Sequence, residues 1–249
     1  MKKSKLFLAV SGLLFFAGCN TSVLPEKRPA ELTVNLYEGG GMSPEGHHIL
    51  LSKDSCVASY NAYRADHKVR FQLTAEEWDR LWTVFRESRF DRISQHEEEI
   101  YDRGGTSLSI NWKDGHIEKS NSGMSIIDKG SVEEFSNCTD IVYQLISKRV
   151  EAEKKTVKFL ADSSLFNDST DIYLQMEYEM LSGDSLPENW STELRLLPGS
   201  YNLWANYYLE GGPSYNRKLA GSLDVQFEIK ENAVIKLLLE EGRLKAVSQ

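Results

Sequence analysis

Cysteine has the most versatile chemistry in this chain, since its thiol can be acylated, oxidised or bound to a metal. The 249 residues contain three cysteines: Cys19, Cys56 and Cys138. Cys19 stands apart from the other two, because it closely follows an almost wholly apolar run from Leu6 to Ala17. The other two cysteines lie in ordinary globular sequence.

The first eighteen residues are typical of a secretory signal peptide. They begin with the positive residues Lys2, Lys3 and Lys5, and the apolar run that follows is too short to span a bilayer. The segment ends in Phe16-Ala17-Gly18-Cys19, which resembles the lipobox of bacterial lipoproteins, although that family usually has Leu in place of Phe16. The resemblance implies that residues 1–18 are removed and that Cys19 receives the lipid.

The same resemblance implies a location and a first partner. A lipid on Cys19 would anchor the chain to a membrane of the bacterial cell envelope. Asn20 resembles the residue found in lipoproteins sorted to the outer membrane, which we expect if the source is Gram-negative. Residues 20–29 are polar and contain two prolines. We therefore interpret residues 19–29 as the lipidated cysteine and a tether, whose ten residues after Cys19 reach at most about 35 Å.

Charge argues against nucleic acid as a partner. The chain has 29 basic and 37 acidic residues. Loss of residues 1–18 removes three lysines and leaves 26 basic against 37 acidic residues, a net charge of −11. Such a body is repelled by phosphate backbones. No later apolar run approaches the length of a membrane span.

Cys56 and Cys138 form an even pair in a chain expected to be exported. An oxidising compartment favours a disulfide between them. The alternative is that both are small buried hydrophobic residues.

Residues 30–150 show the local signals of an antiparallel sheet with two helices. Thr74 and Glu77 form a capping box. Ser131 opens a second motif of this kind, and Asp114-Gly115 is a hairpin signal between alternating segments. The first helix has one apolar face. Its members are Trp78, Leu81, Trp82 and Phe85.

Helical periodicity ends at a charged segment, residues 150–156, and residues 156–249 alternate as strands. The fold class expected is therefore α+β, followed by an all-β sandwich domain. Within it, Leu196-Leu197-Pro198-Gly199-Ser200-Tyr201-Asn202-Leu203 resembles the "LPPGxYxL" hairpin of prealbumin-like sandwiches, such as carboxypeptidase regulatory-like domains. Leu197 replaces the second proline. The resemblance implies a folding and contact module without a catalytic site of its own.

One strand of this part carries a candidate binding strip. From Tyr201 to Leu209, one face consists of amides alternating with aromatic rings. Its members are Asn202, Trp204, Asn206 and Tyr208. Rings stack on the apolar faces of sugars while amides bond their hydroxyl groups, so a glycan is the ligand this pattern suits. The alternative is that Trp204 and Tyr208 pack under a loop or against the first domain.

No sequence motif specifies a reaction. GxSxG, HExxH and EF-hand spacings are absent, and His96 with Glu97-Glu98-Glu99 suits a solvated acidic loop. We therefore expect no metal and no cofactor. The favoured function is a non-catalytic binding or structural role in the envelope, with an envelope protein or cell-wall glycan as partner. The alternatives are a peptidoglycan-binding module that uses the aromatic strip and a hydrolase whose site is not visible in the sequence.

Overall fold

The computed structural model describes residues 22–41, 46–62, 65–100, 102–166, 170–177, 179–181, 187, 189–209 and 219–249. The predicted signal peptide, residues 1–18, and Cys19 lie outside these residues. We call residues 22–153 the first body and residues 155–249 the second body. The first body contains these helices and strands: β1 Thr33–Gly40, β2 Gly46–Leu51, β3 Cys56–Ala62, β4 Ala65–Phe71, α1 Ala75–Glu87, β5 Gln95–Glu97, β6 Gly104–Trp112, β7 Gly115–Asn121, β8 Ser125–Ile127 and α2 Val132–Glu153. The second contains β9 Lys155–Ala161, β10 Thr170–Met176, β11 Glu179–Met180, β12 Ser191–Leu196, β13 Gly199–Leu209, β14 Leu219–Ile229, β15 Ala233–Glu240 and β16 Arg243–Ser248.

The first body is built on an antiparallel sheet with the strand order β4-β3-β2-β1-β6-β7. Alternation puts one side of each central strand into the core, so that Val34 and Leu36 of β1 are fully buried. The predicted hairpin at Asp114-Gly115 is confirmed, because Trp112 pairs with Gly115 where β6 turns into β7.

Helices α1 and α2 share this core. The capping box of α1 is confirmed: the Glu77 amide donates to Thr74 Oγ1 at 3.2 Å, and the Thr74 amide donates to Glu77 Oε2 at 2.9 Å. The predicted apolar face of α1 is buried. The capping box expected at the start of α2 is wrong, since Ser131 makes no side-chain cap and its Oγ instead accepts from the Ser94 amide at 3.1 Å.

The second body contains two four-stranded sheets, β11-β10-β13-β14 and β12-β9-β15-β16. Both contribute to one buried cluster, which includes Phe159, Leu174, Leu203 and Leu237. All pairings in these sheets are antiparallel except that of β9 with β15. The predicted α+β class with a β-rich second part is confirmed.

Two details of the second body differ from the sequence prediction. The alternation of apolar residues from Ile172 to Met180 predicts one strand, but β10 ends at Met176, because Glu177 adopts a φ of 52° and starts a turn into β11. Pro198-Gly199 does not close a hairpin within one sheet: β12 before it and β13 after it belong to different sheets. Alternation alone does not reveal which sheet a strand joins, since that depends on distant partners.

The chain between the bodies is shorter than the segment 150–156 suggested. Helix α2 continues to Glu153 and β9 begins at Lys155. The hydrophobic clusters of the two bodies are nevertheless separate, with Leu197 of the second body inserted into the cluster of the first.

The described part of the predicted tether, residues 22–29, is not extended away from the first body. We call residues 22–32, which lead into β1, the strap. Leu24 is buried in the first core. Arg86 donates to the Glu26 carbonyl at 2.8 Å, and Arg28 pairs with Asp79 at 2.8 Å over α1. The polar, proline-containing composition of this segment predicted a free tether. The buried Leu24 side chain and these polar contacts instead bind the segment to the first body. No helix among the described residues is long and apolar enough to cross a membrane.

Candidate binding face of the second body

Strand β13 divides its side chains between two faces. Tyr201, Leu203 and Ala205 point into the core and are buried, as the alternation predicted. On the other face Trp204, Asn206 and Tyr208 are half-buried. Strand β13 is not an outer strand of its sheet, because it lies between β10 and β14. The half-buried strip therefore lies in the middle of a sheet surface and not at its edge.

Neighbouring strands widen this surface. Across β10, Gln175 lies opposite Trp204 and Tyr173 lies opposite Asn206. The Tyr173 ring meets the Tyr208 ring edge to face, with centroids 5.3 Å apart and an interplanar angle of 90°. We call Tyr173, Trp204, Asn206 and Tyr208 the aromatic face. Tyr173 was missed in the sequence, although alternation along β10 would have placed it on this side.

The β14 side of the aromatic face is polar. Asp224 lies opposite Trp204, and Ser222 lies opposite Asn206. Ser222 Oγ donates to Asn206 Oδ1 at 2.8 Å, which fixes the amide so that its NH₂ group can face outward. Rings flanked by an oriented amide and a carboxylate suit a ligand with an apolar face and hydroxyl groups at its rim.

Asn202 does not belong to the accessible surface, contrary to the sequence prediction. It is only 6% exposed. Glu177 turns its carboxylate over this position, where Oε1 accepts from the Asn202 backbone amide at 2.7 Å and from its side-chain amide at 3.5 Å. The left-handed turn at Glu177, which alternation did not predict, is what covers Asn202.

The predicted disulfide is not formed. Cys56 and Cys138 are both free and buried, each with 0% exposure. Cys56 Sγ lies 3.5 Å from the Ser52 carbonyl, whereas Cys138 lies beside Ser88. Burial raises the pKa of both thiols, that of Cys138 to about 12, so neither suits a thiolate nucleophile. The structure bears out the alternative, two small buried hydrophobic residues.

A second polar group contains Ser94, Asp128 and His96. Asp128 lies between the other two: it accepts from Ser94 Oγ and is 2.5 Å from His96 Nδ1. These hydrogen bonds hold the pKa of Asp128 below its ordinary value. A serine nucleophile needs the histidine, not the carboxylate, beside its hydroxyl group. The order Ser-Asp-His therefore does not activate Ser94, and the contacts connect β5 to the start of α2.

A third polar group lines a niche of about 240 Å³ at the β1–β2 and β6 ends. Tyr143 donates to Glu38, and His47 Nδ1 lies 3.9 Å from the same carboxylate. Burial raises the pKa of Tyr143, and the bond to Glu38 raises it further. The niche combines one carboxylate with backbone of glycine residues, but among the described residues no three His, Cys, Asp or Glu side chains converge on a metal position.

Comparisons with known proteins do not assign the chain to a family. No protein-family model and no curated protein matches it. Among solved structures, the human-specific toxin intermedilysin is 10% identical, with a TM-score of 0.21, covering 89% of this chain and 68% of that one. Pneumolysin, described as a sugar binding protein, is 8% identical with a TM-score of 0.18, covering 82% of this chain and 50% of that one. Suilysin from Streptococcus suis is 8% identical, with a TM-score of 0.17. The match covers 88% of this chain and 60% of the suilysin chain. Likenesses this weak carry no argument about fold or function.

Proposed function

We propose that this chain is a lipid-anchored protein of the bacterial cell envelope with a non-catalytic binding role. The observation that carries the proposal is the sequence Phe16-Ala17-Gly18-Cys19 at the end of a short apolar run with a lysine-rich start. A thioether-linked lipid with two or more acyl chains anchors stably, since each buried CH₂ contributes about 0.8 kcal/mol.

Mass spectrometry of the purified membrane-associated protein tests the anchor. We expect a mature N-terminus at Cys19 that carries acyl groups, and a Cys19→Ser variant that is found in the soluble fraction. Cys56→Ser is the matched control, because that thiol is buried in the core of the first body. An unmodified Cys19 in the wild-type protein would overturn the proposal.

The binding role is assigned to the aromatic face, with a cell-wall glycan as ligand. Three half-buried aromatic side chains and the oriented amide of Asn206 support this choice. Sugar rings stack on aromatic rings, and the Asn206 NH₂ group and Asp224 provide partners for hydroxyl groups. A protein partner from the envelope is the alternative occupant of the same face.

Trp204→Ala tests the glycan assignment. We expect binding to isolated cell wall to fall at least tenfold in a pull-down, with a stability loss smaller than the 3–5 kcal/mol of a fully buried Trp, because Trp204 is only half-buried. Tyr37→Ala removes an aromatic side chain that is 47% exposed on the first body and serves as control. Equal binding by all three proteins would eliminate the glycan and leave a protein partner.

We also propose that the second body is a sandwich of the prealbumin-like kind. Its two sheets share one cluster of buried residues. The segment that resembles the family motif places the Tyr201 hydroxyl 2.7 Å from the Leu197 carbonyl, to which it donates. This hydrogen bond explains why the motif has a tyrosine at this position, since it stabilises the turn that carries the chain from one sheet to the other.

A further inference from the structure

The strap enters the first body at one particular edge of the six-stranded sheet. The Val23 amide donates to Asp91 Oδ2 at 2.9 Å. Two residues after Asp91, the Ile93 carbonyl accepts from the ammonium of Lys119 in β7 at 2.7 Å. Val23 also lines a groove of about 570 Å³ together with Trp112 at the β6–β7 turn. The start of the described chain therefore lies beside the β6–β7 hairpin, whose second strand, β7, is an outer strand of the sheet.

The second body contacts the opposite edge. His67 of β4 stacks on Tyr201, with ring centroids 4.4 Å apart, and His67 Nδ1 lies 3.2 Å from the Pro198 carbonyl. Strand β4 and strand β7 are the two outer strands of this sheet. Five inter-strand spacings separate them, a distance of about 24 Å.

The lipid site and the β7 edge are joined by very little chain. Cys19 precedes Val23 by four residues, which span at most about 14 Å even when fully extended. A tether of residues 19–29 would have allowed about 35 Å and any orientation. Because the strap is bound along the first body, the freedom of the anchor is limited to the few residues before it.

The surface at this edge suits a lipid headgroup region. Val23 is 69% exposed, the largest exposure among the large hydrophobic side chains of the described residues. Pro25 and Trp112 line the same groove, and its charged members are Lys113, Glu31 and Asp114. The match to the interfacial zone of a membrane therefore rests on the exposed apolar side chains and the amphipathic ring, which that zone favours.

We propose that the β7 edge of the first body lies against the lipid surface and that the second body, with its aromatic face, is directed away from it. The inference rests on the proposed lipidation of Cys19. The occupant of the Val23 groove is then the headgroup region of the bilayer, and the first body acts as a rigid spacer for the second.

Fluorescence quenching in vesicles tests this orientation. Val23→Cys and Val247→Cys each introduce one exposed thiol, on the first and second body respectively. Acylation blocks Cys19, and Cys56 and Cys138 are fully buried, so a thiol-reactive fluorophore labels only the new position. The acylated proteins are reconstituted in phosphatidylethanolamine–phosphatidylglycerol vesicles that contain a nitroxide headgroup lipid. We expect the label at position 23 to lose at least half of its emission and the label at position 247 to stay near the value in nitroxide-free vesicles.

Two outcomes overturn the inference without touching the proposed function. One is equal quenching of both labels in protein whose acylation has been verified by mass spectrometry. The other is stronger quenching at position 247 than at position 23 in the same vesicles, which would place the second body nearer the lipid. Absence of acylation is a separate result, because it contradicts the anchor itself.

Discussion

Removing the hydroxyl group of Tyr201 tests the hydrogen bond within the motif that links the two sheets. Tyr201 is 6% exposed, and its hydroxyl donates to the Leu197 carbonyl at 2.7 Å. Burial and then the nearby Glu177 carboxylate raise the pKa of Tyr201, so the hydroxyl stays protonated and keeps donating. Tyr201→Phe preserves the ring, including its stacking on His67 and on Phe227 at 6.0 Å.

The expected cost follows from leaving a buried carbonyl group without its donor. That loss destabilises a protein by about 1–3 kcal/mol. In a chain of this size each kcal/mol lowers Tm by about 2–4 °C. Differential scanning calorimetry should therefore show a decrease in Tm of several degrees for Tyr201→Phe.

The same strand offers a matched control. The Tyr207 hydroxyl is buried and has no hydrogen-bond partner among the described residues. Tyr207→Phe makes the identical chemical change but removes an unsatisfied group, so we expect no loss of stability or a small gain. Equal shifts in Tm for the two variants would show that the bond to Leu197 does not stabilise the turn, and would refute the reasoning.

Three further predictions concern other parts of the fold. Thr74→Ala should lower the free energy of unfolding, measured in urea, by about 1 kcal/mol because the α1 cap is lost. Thr83→Ala, at an exposed position inside α1, is the control and should cause no such loss. Equal losses for the two variants would contradict a stabilising role of the cap. Hydrogen bonds from Lys236 and Ser164 lower the pKa of Asp162 to about 2, so its contribution to stability is present above its ordinary pKa near 3.8 and is lost as the pH falls through 2. Melting curves should show Asp162→Asn less stable than wild type at pH 7, with the difference shrinking between pH 4 and 2; a constant difference would contradict the assignment. In a Cys19→Ser background, Ellman's reagent should detect no thiols in the native protein and two after denaturation without reductant, and fewer than two would restore the disulfide.

Elements with a complete local signal were predictable from sequence. Helix α1 begins with the predicted capping box and buries the predicted face, because residues within two turns of each other determine both. The Asp114-Gly115 turn is equally local. Ser131 carries the same motif, yet its side chain bonds Ser94 instead, 37 residues away in sequence. Where a long-range partner competes with a local one, the sequence motif no longer decides.

The candidate binding face was predicted in part for the same reason. Alternation correctly separated Trp204, Asn206 and Tyr208 from the core residues of β13. It could not show that Glu177 covers Asn202, because that contact depends on a left-handed backbone conformation 25 residues earlier. Alternation along β10 puts Tyr173 on the outer face, but it does not show that this face adjoins Trp204, since the pairing of β10 with β13 is not encoded in either strand alone.

The junction between the bodies depends on a few consecutive residues rather than on the covalent connection at Lys154. Leu197 packs in the first core, the Pro198 carbonyl lies against His67, and Tyr201 stacks on the same ring. At Gly199 the backbone has a φ of 145°, and a Cβ atom would lie 2.4 Å from His67 Nδ1, so only glycine fits against the histidine. The turn that transfers the chain between the two sheets is thus also the surface that positions the second body on β4. Because turn and junction are the same residues, a change in one alters the other, and the direction of the aromatic face relative to the strap depends on this short segment.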